Sequence, residues 1–287
     1  MALWAKLTLI VLCVIVAALI LTIWIGSIRW SRALSKDIET LLQTTDSTGT
    51  ARVSLAELDN LPEPVVRYFR RVLREGHPYI RVALLRQTGE LRTDTQSDRW
   101  LLFQADQVVT ALSPGFVWNA KADIAPFIHV RVRDAYIAGQ GSGEVSLLSA
   151  VTVAAERGRF EMNSGALHRY LAEAVWYPTG LLPSAYLEWS PIDDNKALAS
   201  LTDSGITVRL EFSFNDAGEV TGIYTPGRWG AFDGGYKQVP WEGHFRKYED
   251  RDGMWVPTEG EVGWYSSSEW QSVWKGTIAE VSYEFVR

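Results

Sequence analysis

The chain of 287 residues holds four histidines, and only one lies where acid–base chemistry is conceivable. In Trp241-Glu242-Gly243-His244 a carboxylate and an imidazole stand two residues apart. On a strand that spacing puts both side chains on one face, next to each other. A carboxylate beside an imidazole raises its basicity and can orient it as a general base. The plainer reading is a structural hydrogen-bonded pair, because no nucleophile is identifiable from the sequence. His77 falls in a Gly-His-Pro turn, His129 alternates with Arg131 and Arg133 on a polar strand face, and His168 opens an amphipathic helix. None belongs to H-E-x-x-H or another close ligand pair, so the sequence assigns no metal site and no catalytic residue.

Other motifs fail on specific positions. Gly141-Ser142-Gly143 resembles a nucleophile elbow, but Gln140 stands where G-x-S-x-G needs its first glycine. A dinucleotide loop would need glycine at Glu144, and a strand follows instead of a helix. No G-K-[ST] phosphate loop occurs, so no cofactor is implied. Asp193-Asp194-Asn195 reads as a turn before it reads as a calcium site. A formal charge of −6 and a pI near 5.4 argue against general nucleic-acid binding. Cys13 is the only cysteine, so the part beyond the N-terminal segment has neither a disulfide nor a thiolate-bound metal.

Thirteen tryptophans are unusual for this length, and they crowd toward the C-terminal half. Aromatic rings suit the core of a β-rich domain. They also suit the wall of an apolar cavity, where an indole N–H or a phenol can orient a ligand. Phe116, Trp118, Trp176, Tyr177, Trp229, Trp241 and Trp264 are the candidate lining residues, with Glu242 and His244 as polar members.

The elements that must position these residues begin with an apolar run. Residues 7–25, LTLIVLCVIVAALILTIWI, carry no charge. As a helix the run spans about 28 Å, against a hydrocarbon core of about 30 Å. Trp4, Trp24 and Trp30 flank it at interface height. No A-x-A cleavage site follows, and Cys13 lies inside the run without the small residues of a lipoprotein signal, so a retained single-pass anchor is the expectation. Counting flanking basic residues, Lys6 against Arg29, Arg32 and Lys36, would keep the rest of the chain in the cytoplasm. A short basic N-terminus before a single span more often sends the following domain out, and an extracytoplasmic domain is the reading adopted.

The expected organisation is an anchor over 1–30, a juxtamembrane helix and connector over 31–50, and one β-rich domain over 51–287. The helix is expected to continue past the membrane, with a segment capped at Ser35 reaching about Gln43, and TTDSTGT (44–50) to break the chain. Ser54 and Glu57 form a capping-box pattern. Pro62 and Pro64 open a second helix whose polar side carries Arg67, Arg70, Arg71 and Arg74, either solvated or facing anionic lipid headgroups. From Tyr79 the period becomes two. Strands are expected over 79–91, 99–112, 128–133, 144–155 and 208–214, with hairpin turns at Asn215-Asp216-Ala217-Gly218 and Asp252-Gly253. One helix interrupts them, with Leu167, Tyr170, Leu171, Ala174 and Val175 on a shared face before Pro178. The fold class is therefore α+β, with a large curved antiparallel sheet and a few covering helices.

Six blocks carry a resemblance: LPEPVVRYFRRVL (61–73), QTGELR (87–92), PGFVWNA (114–120), YLAEAVWYPTGLLPS (170–184), PWEGHFRKYE (240–249) and GMWVPTEGEVGW (253–264). Together they resemble an uncharacterised bacterial family of membrane-anchored proteins, a domain of unknown function that brings no catalytic residues with it. In layout the chain is more distantly similar to the half-barrel carriers that ferry lipoproteins across the bacterial periplasm. A curved sheet covered by the helix over 167–175 would enclose an apolar pocket, and the leading reading is a membrane-anchored binding module for a lipid, a lipidated partner or another apolar ligand. The alternatives are a membrane-anchored enzyme using Glu242 and His244, and an envelope scaffold with an unnamed protein partner.

Overall fold

A computed structural model describes residues 2–45, 51–92, 98–232, 234–266 and 268–286. Most of the expected connector, residues 46–50, lies outside the described residues.

Helix α1 (Ala2–Gln43) is continuous. Its first half is exposed, and it is long and apolar enough to cross a membrane. Ser35 lies inside it, so no separate capped helix begins there. The reason is packing. Trp30, Leu34, Ile38 and Leu41 recur at helical spacing and lie against the sheet, which sustains the helix past the apolar run. Leu41 is fully buried against Val117, Ala135 and Ile137. Trp30 Nε1 donates to Asn119 Oδ1 at 2.9 Å, and Asp37 pairs with Arg133 at 3.3 Å.

A single helical turn (Leu55–Leu58) follows, without a Ser54 side-chain cap; the Glu75 carboxylate accepts from the Leu55 N–H instead, at 2.7 Å. Helix α2 (Glu63–Val72) has Pro62 as its N-cap and Pro64 in its first turn, as its prolines predict. Its arginines are paired: Arg67 with Glu63, Arg70 with Asp59, Arg71 with Glu219, Arg74 with Asp250.

Among the described residues, thirteen strands form one antiparallel sheet. They are β1 (Ile80–Leu91), β2 (Leu101–Thr110), β3 (Gly115–Ala125), β4 (Ile128–Ile137), β5 (Gln140–Leu147), β6 (Val151–Arg157), β7 (Leu187–Asp193), β8 (Lys196–Asp203), β9 (Ile206–Phe214), β10 (Val220–Phe232), β11 (Gly235–Arg251), β12 (Met254–Ser266) and β13 (Glu269–Phe285). The order is β6-β5-β4-β3-β2-β1-β13-β12-β11-β10-β9-β8-β7. Two meanders are thus joined at their first and last strands, β1 and β13. The strand expected over 144–155 is two strands, because the chain turns at Leu148 and Ser149, both at positive φ.

Helix α3 (Phe160–Glu173) and two short turns (Ala174–Trp176, Pro178–Leu181) connect the meanders. The sheet curls around them as a half-barrel. Across the concave side, Tyr136 on β4 donates to Asp203 on β8 at 2.6 Å, and Tyr236 on β11 donates to Glu156 on β6 at 2.6 Å. Helix α3 fills the opening between, touching β4, β5, β9 and β10. Leu167, Leu171, Tyr170 and Tyr177 are buried beneath it. Trp176 packs edge-on against Phe245 at 6.0 Å and against Trp274 at 6.2 Å. Gly165 permits the close approach of α3 to β10, since a Cβ there would stand 2.8 Å from the Trp229 carbonyl oxygen. The lid thus fills most of the concave face with rings, and open space remains at one end of it.

Candidate ligand-binding cleft

That space is a cleft of about 250 Å³ between α3 and the strands on either side. Phe116, Asp134, Met162, Arg169, Arg228, Trp229, Tyr236 and Trp264 are among its walls. Two arginines dominate it, and each is placed by a local feature of the chain.

Arg169 sits mid-helix on α3. Its Nε donates to Glu173 Oε1 at 2.7 Å, one turn on, and its Nη1 to Asp134 Oδ2 at 3.0 Å. The guanidinium lies over the rings of Phe116 and Trp118, 5.1 and 4.7 Å from their centres. Burial opposes its charge, but Glu173 and Asp134 outweigh burial and hold its pKa above the usual value. Desolvation raises the Asp134 carboxyl, with Arg169 and Arg228 pulling the other way.

Arg228 reaches the cleft through an irregularity. Thr225-Pro226-Gly227-Arg228 interrupts the β10–β11 register, and such a bulge re-aims the side chain that follows it. Its guanidinium lies 4.5 Å from the Trp241 ring centre and 4.9 Å from that of Trp264. Nε and Nη2 both donate to the carbonyl oxygen of Gly165, at 3.2 and 3.0 Å. Nη1 makes no hydrogen bond to a described residue, and no described carboxylate forms an ion pair with Arg228. Desolvation first, then the charge of Arg169, push its pKa down to about 9. Glu173 and Asp134 pull it partly back up, but both are bonded to Arg169, so the Arg228 cation has no carboxylate within ion-pair distance among the described residues. Beneath it, the buried indole N–H of Trp241 has no partner among the described residues.

A polar chain leads inward from the cleft. Glu173 accepts from Gln107 at 2.6 Å, Gln107 from Gln87 at 2.8 Å, and Gln87 from Trp118 Nε1 at 2.8 Å. Both glutamines are buried in otherwise apolar strand faces, and each amide would be costly if left unpaired.

The nine residues singled out from the sequence fall into three groups. Phe116, Trp229 and Trp264 line the cleft. Trp118 and Trp241 lie beneath its two arginines, while Trp176 and Tyr177 are buried in the packing under the lid. Glu242 and His244 meet as their spacing predicts, with His244 Nε2 3.2 Å from Glu242 Oε1. They lie in a shallow depression with Lys196, Glu211 and Tyr224, on the opposite face of β11 from Trp241. There Glu242 also accepts from Tyr265, which raises the phenol to about 12, and the imidazole stands edge-on to Trp270. Among the described residues no cluster of side chains is arranged to hold a metal ion.

Sequence reasoning missed Asp134, Arg169, Glu173 and Arg228. The signal that could have found part of this site is Gln87 and Gln107, polar residues in phase with Ala83 and Leu85, and with Phe103, Ala105 and Val109.

The architecture defines a curved antiparallel sheet closed over a helical lid, with a charged, ring-lined cleft beside it. The chain belongs to the family described as "Family of unknown function (DUF6920)", which matches residues 59–283. Among solved structures it is similar to a LolA superfamily protein from Nitrosomonas europaea, at 10% identity over 78% of this chain and 93% of that one, with a TM-score of 0.38. It is also similar to a beta-barrel-like protein of domain of unknown function DUF1849 from Brucella abortus, at 10% identity over 72% and 99% of the two chains, with a TM-score of 0.21. No curated protein matches.

Proposed function

We propose that the protein is a membrane-anchored binding module whose cleft takes a lipid or other apolar ligand bearing an anionic group. The observation that carries this reading is Arg228, a guanidinium held between two indoles, with a backbone carbonyl as its hydrogen-bond partner and no carboxylate paired to it among the described residues. An anion would supply the charge it lacks, and Phe116, Trp229 and Trp264 would take the apolar body beside it. Helix α1 would hold the cleft at a membrane, where such molecules are concentrated. The reading keeps the domain on the extracytoplasmic side, which a topology reporter fused after Arg287 checks.

The test is purification of the full chain from membranes in mild detergent, followed by extraction and mass spectrometry. A co-purifying anionic lipid or fatty acid is expected, and Arg228→Met should reduce its recovery about tenfold, the effect of losing roughly 1.4 kcal/mol from a charge-assisted contact. The same substitution should leave thermal stability unchanged or raise it, because it removes a buried cation without a matched partner. Recovery of no ligand from the wild type, or equal recovery from both proteins, overturns the proposal.

A further inference from the structure

We infer that the tip of the β3–β4 hairpin, residues 124–128, is a second membrane contact that seats one end of the sheet on the bilayer α1 enters. The inference rests on the reading of α1 as a membrane span, and four observations carry it.

The first is height. Helix α1 lies along the outer face of β3 and β4, and its direction there is fixed at both ends. Gly26 meets the backbone of Ser149 and Ala150, in the β5–β6 turn. Leu41 meets Gly115, at the start of β3. The β3–β4 and β5–β6 turns are at the same end of the sheet. Ala125 pairs with Ile128 to close the first, and Leu148 N–H donates to the His129 carbonyl as the second begins. Phe127 therefore stands level with Ser149, and so with Gly26, the residue that follows the apolar run 7–25. The run leaves the domain at the height of this tip.

The second is chemistry. The tip reads Ile124-Ala125-Pro126-Phe127-Ile128, without a polar side chain. Phe127 is 99% exposed and Ile128 43%. Moving a phenylalanine ring from water into hydrocarbon gains about 1.5–3 kcal/mol, which water-facing placement forgoes.

The third is backbone strain. Phe127 has φ of +65°, a region that suits glycine or asparagine and disfavours a bulky side chain. A turn of this shape is easier to form with glycine, so the ring is held out at the tip against local preference. Insertion of the ring in a bilayer accounts for its exposure and would offset the cost of the strain.

The fourth is continuity. Val151, 58% exposed, directly follows the turn that touches Gly26. Arg29 and Arg32 are exposed on α1 just below that contact, at headgroup height. The arginines of α2 lie at the other end of the sheet and are paired there, so the basic contact with lipid falls to the α1 residues.

The full chain, reconstituted in vesicles of phosphatidylethanolamine and phosphatidylglycerol, tests this. In a Cys13→Ser background, Phe127→Cys carries a polarity-sensitive fluorophore, with Asp216→Cys in the far β9–β10 turn as the water-exposed control. A third chain keeps Cys13 as its only labelled site. The probe at position 127 should be blue-shifted and quenched by spin-labelled lipid, and the probe at 216 should show neither. Quenching at Cys13 with a water-like probe at 127 overturns the hairpin contact and leaves the anchor standing. A water-like probe at both Cys13 and 127 overturns the anchor and this inference together.

Discussion

At the scale of single residues, burial decides how ionisable groups act. His168 lies under the lid with its Nδ1 2.9 Å from the Ser164 carbonyl oxygen, and it is 5% exposed. Desolvation lowers its pKa from 6.5 to about 4, so the native imidazole is neutral and Nδ1–H donates. A base whose native pKa is depressed binds its proton sooner in the unfolded chain. Its contribution to stability is therefore complete above pH 6.5 and is lost as the pH falls from 6.5 toward 4. The full loss is about 3 kcal/mol, from 1.36 kcal/mol per unit. His168→Asn, whose amide can donate to the same carbonyl, should show a smaller fall in melting temperature between pH 7.5 and 4.5 than the wild type. Equal falls would mean the imidazole is not the sensitive group. The cleft obeys the same rule with opposite consequence. An isolated arginine in a sequence reads as a solvated side chain, and nothing around Arg169 or Arg228 marks them as inward-facing. Only the meeting of α3 with the β10 bulge brings them together beside rings, which is why aromatic residues could be singled out from the sequence and these charges could not.

At the scale of elements, alternation and turn chemistry located most of the strands. Where turns use Asn-Asp-Ala-Gly or Asp-Gly the hairpins lie where the sequence places them. The β5–β6 turn was invisible because Leu148 and Ser149 take its left-handed positions, without glycine or proline to mark them. The same turn governs helix α1. A Cβ at Gly26 would lie 2.3 Å from the Ser149 carbonyl oxygen and 2.6 Å from the Ala150 Cα, both backbone atoms unable to rotate away. Gly26→Leu should therefore lever α1 off the sheet. Overpacking of this kind costs about 1–3 kcal/mol, so amide exchange over residues 30–41 should rise by roughly tenfold or more in the detergent-solubilised chain. Unchanged protection there would show that α1 and the sheet are coupled more loosely than Trp30, Asp37 and Leu41 imply. Trp176 and Tyr177 follow α3 closely in sequence, and they fill the concave face instead of bordering a space.

At the scale of the whole molecule, one strand pairing, β1 with β13, joins the two meanders into a single sheet. Antiparallel neighbours joined by short turns are legible in sequence, but β1 with β13 is not: Ile80 aligns with Phe285, across almost the entire domain. Loop closure over such a distance carries its entropy cost before any contact offsets it. The strand that completes the sheet follows every other strand of it in chain order. Until β13 arrives, β1 and β12 both present unpaired edges, and the rings of Trp274 and Tyr283 are missing from the interior beneath Trp176. Such a sheet should behave as one cooperative unit rather than two halves. Heat unfolding of the full chain in detergent is expected to be a single transition, seen alike by near-ultraviolet tryptophan signals and far-ultraviolet β-sheet signals. A chain ending at Ser266 should lose both meanders together and become protease-sensitive throughout, although β2–β6 and β7–β11 keep every hairpin partner they had. If instead a protected fragment spanning β2–β6 survives digestion, the meanders fold separately and the β1–β13 seam is a docking contact rather than the centre of one core.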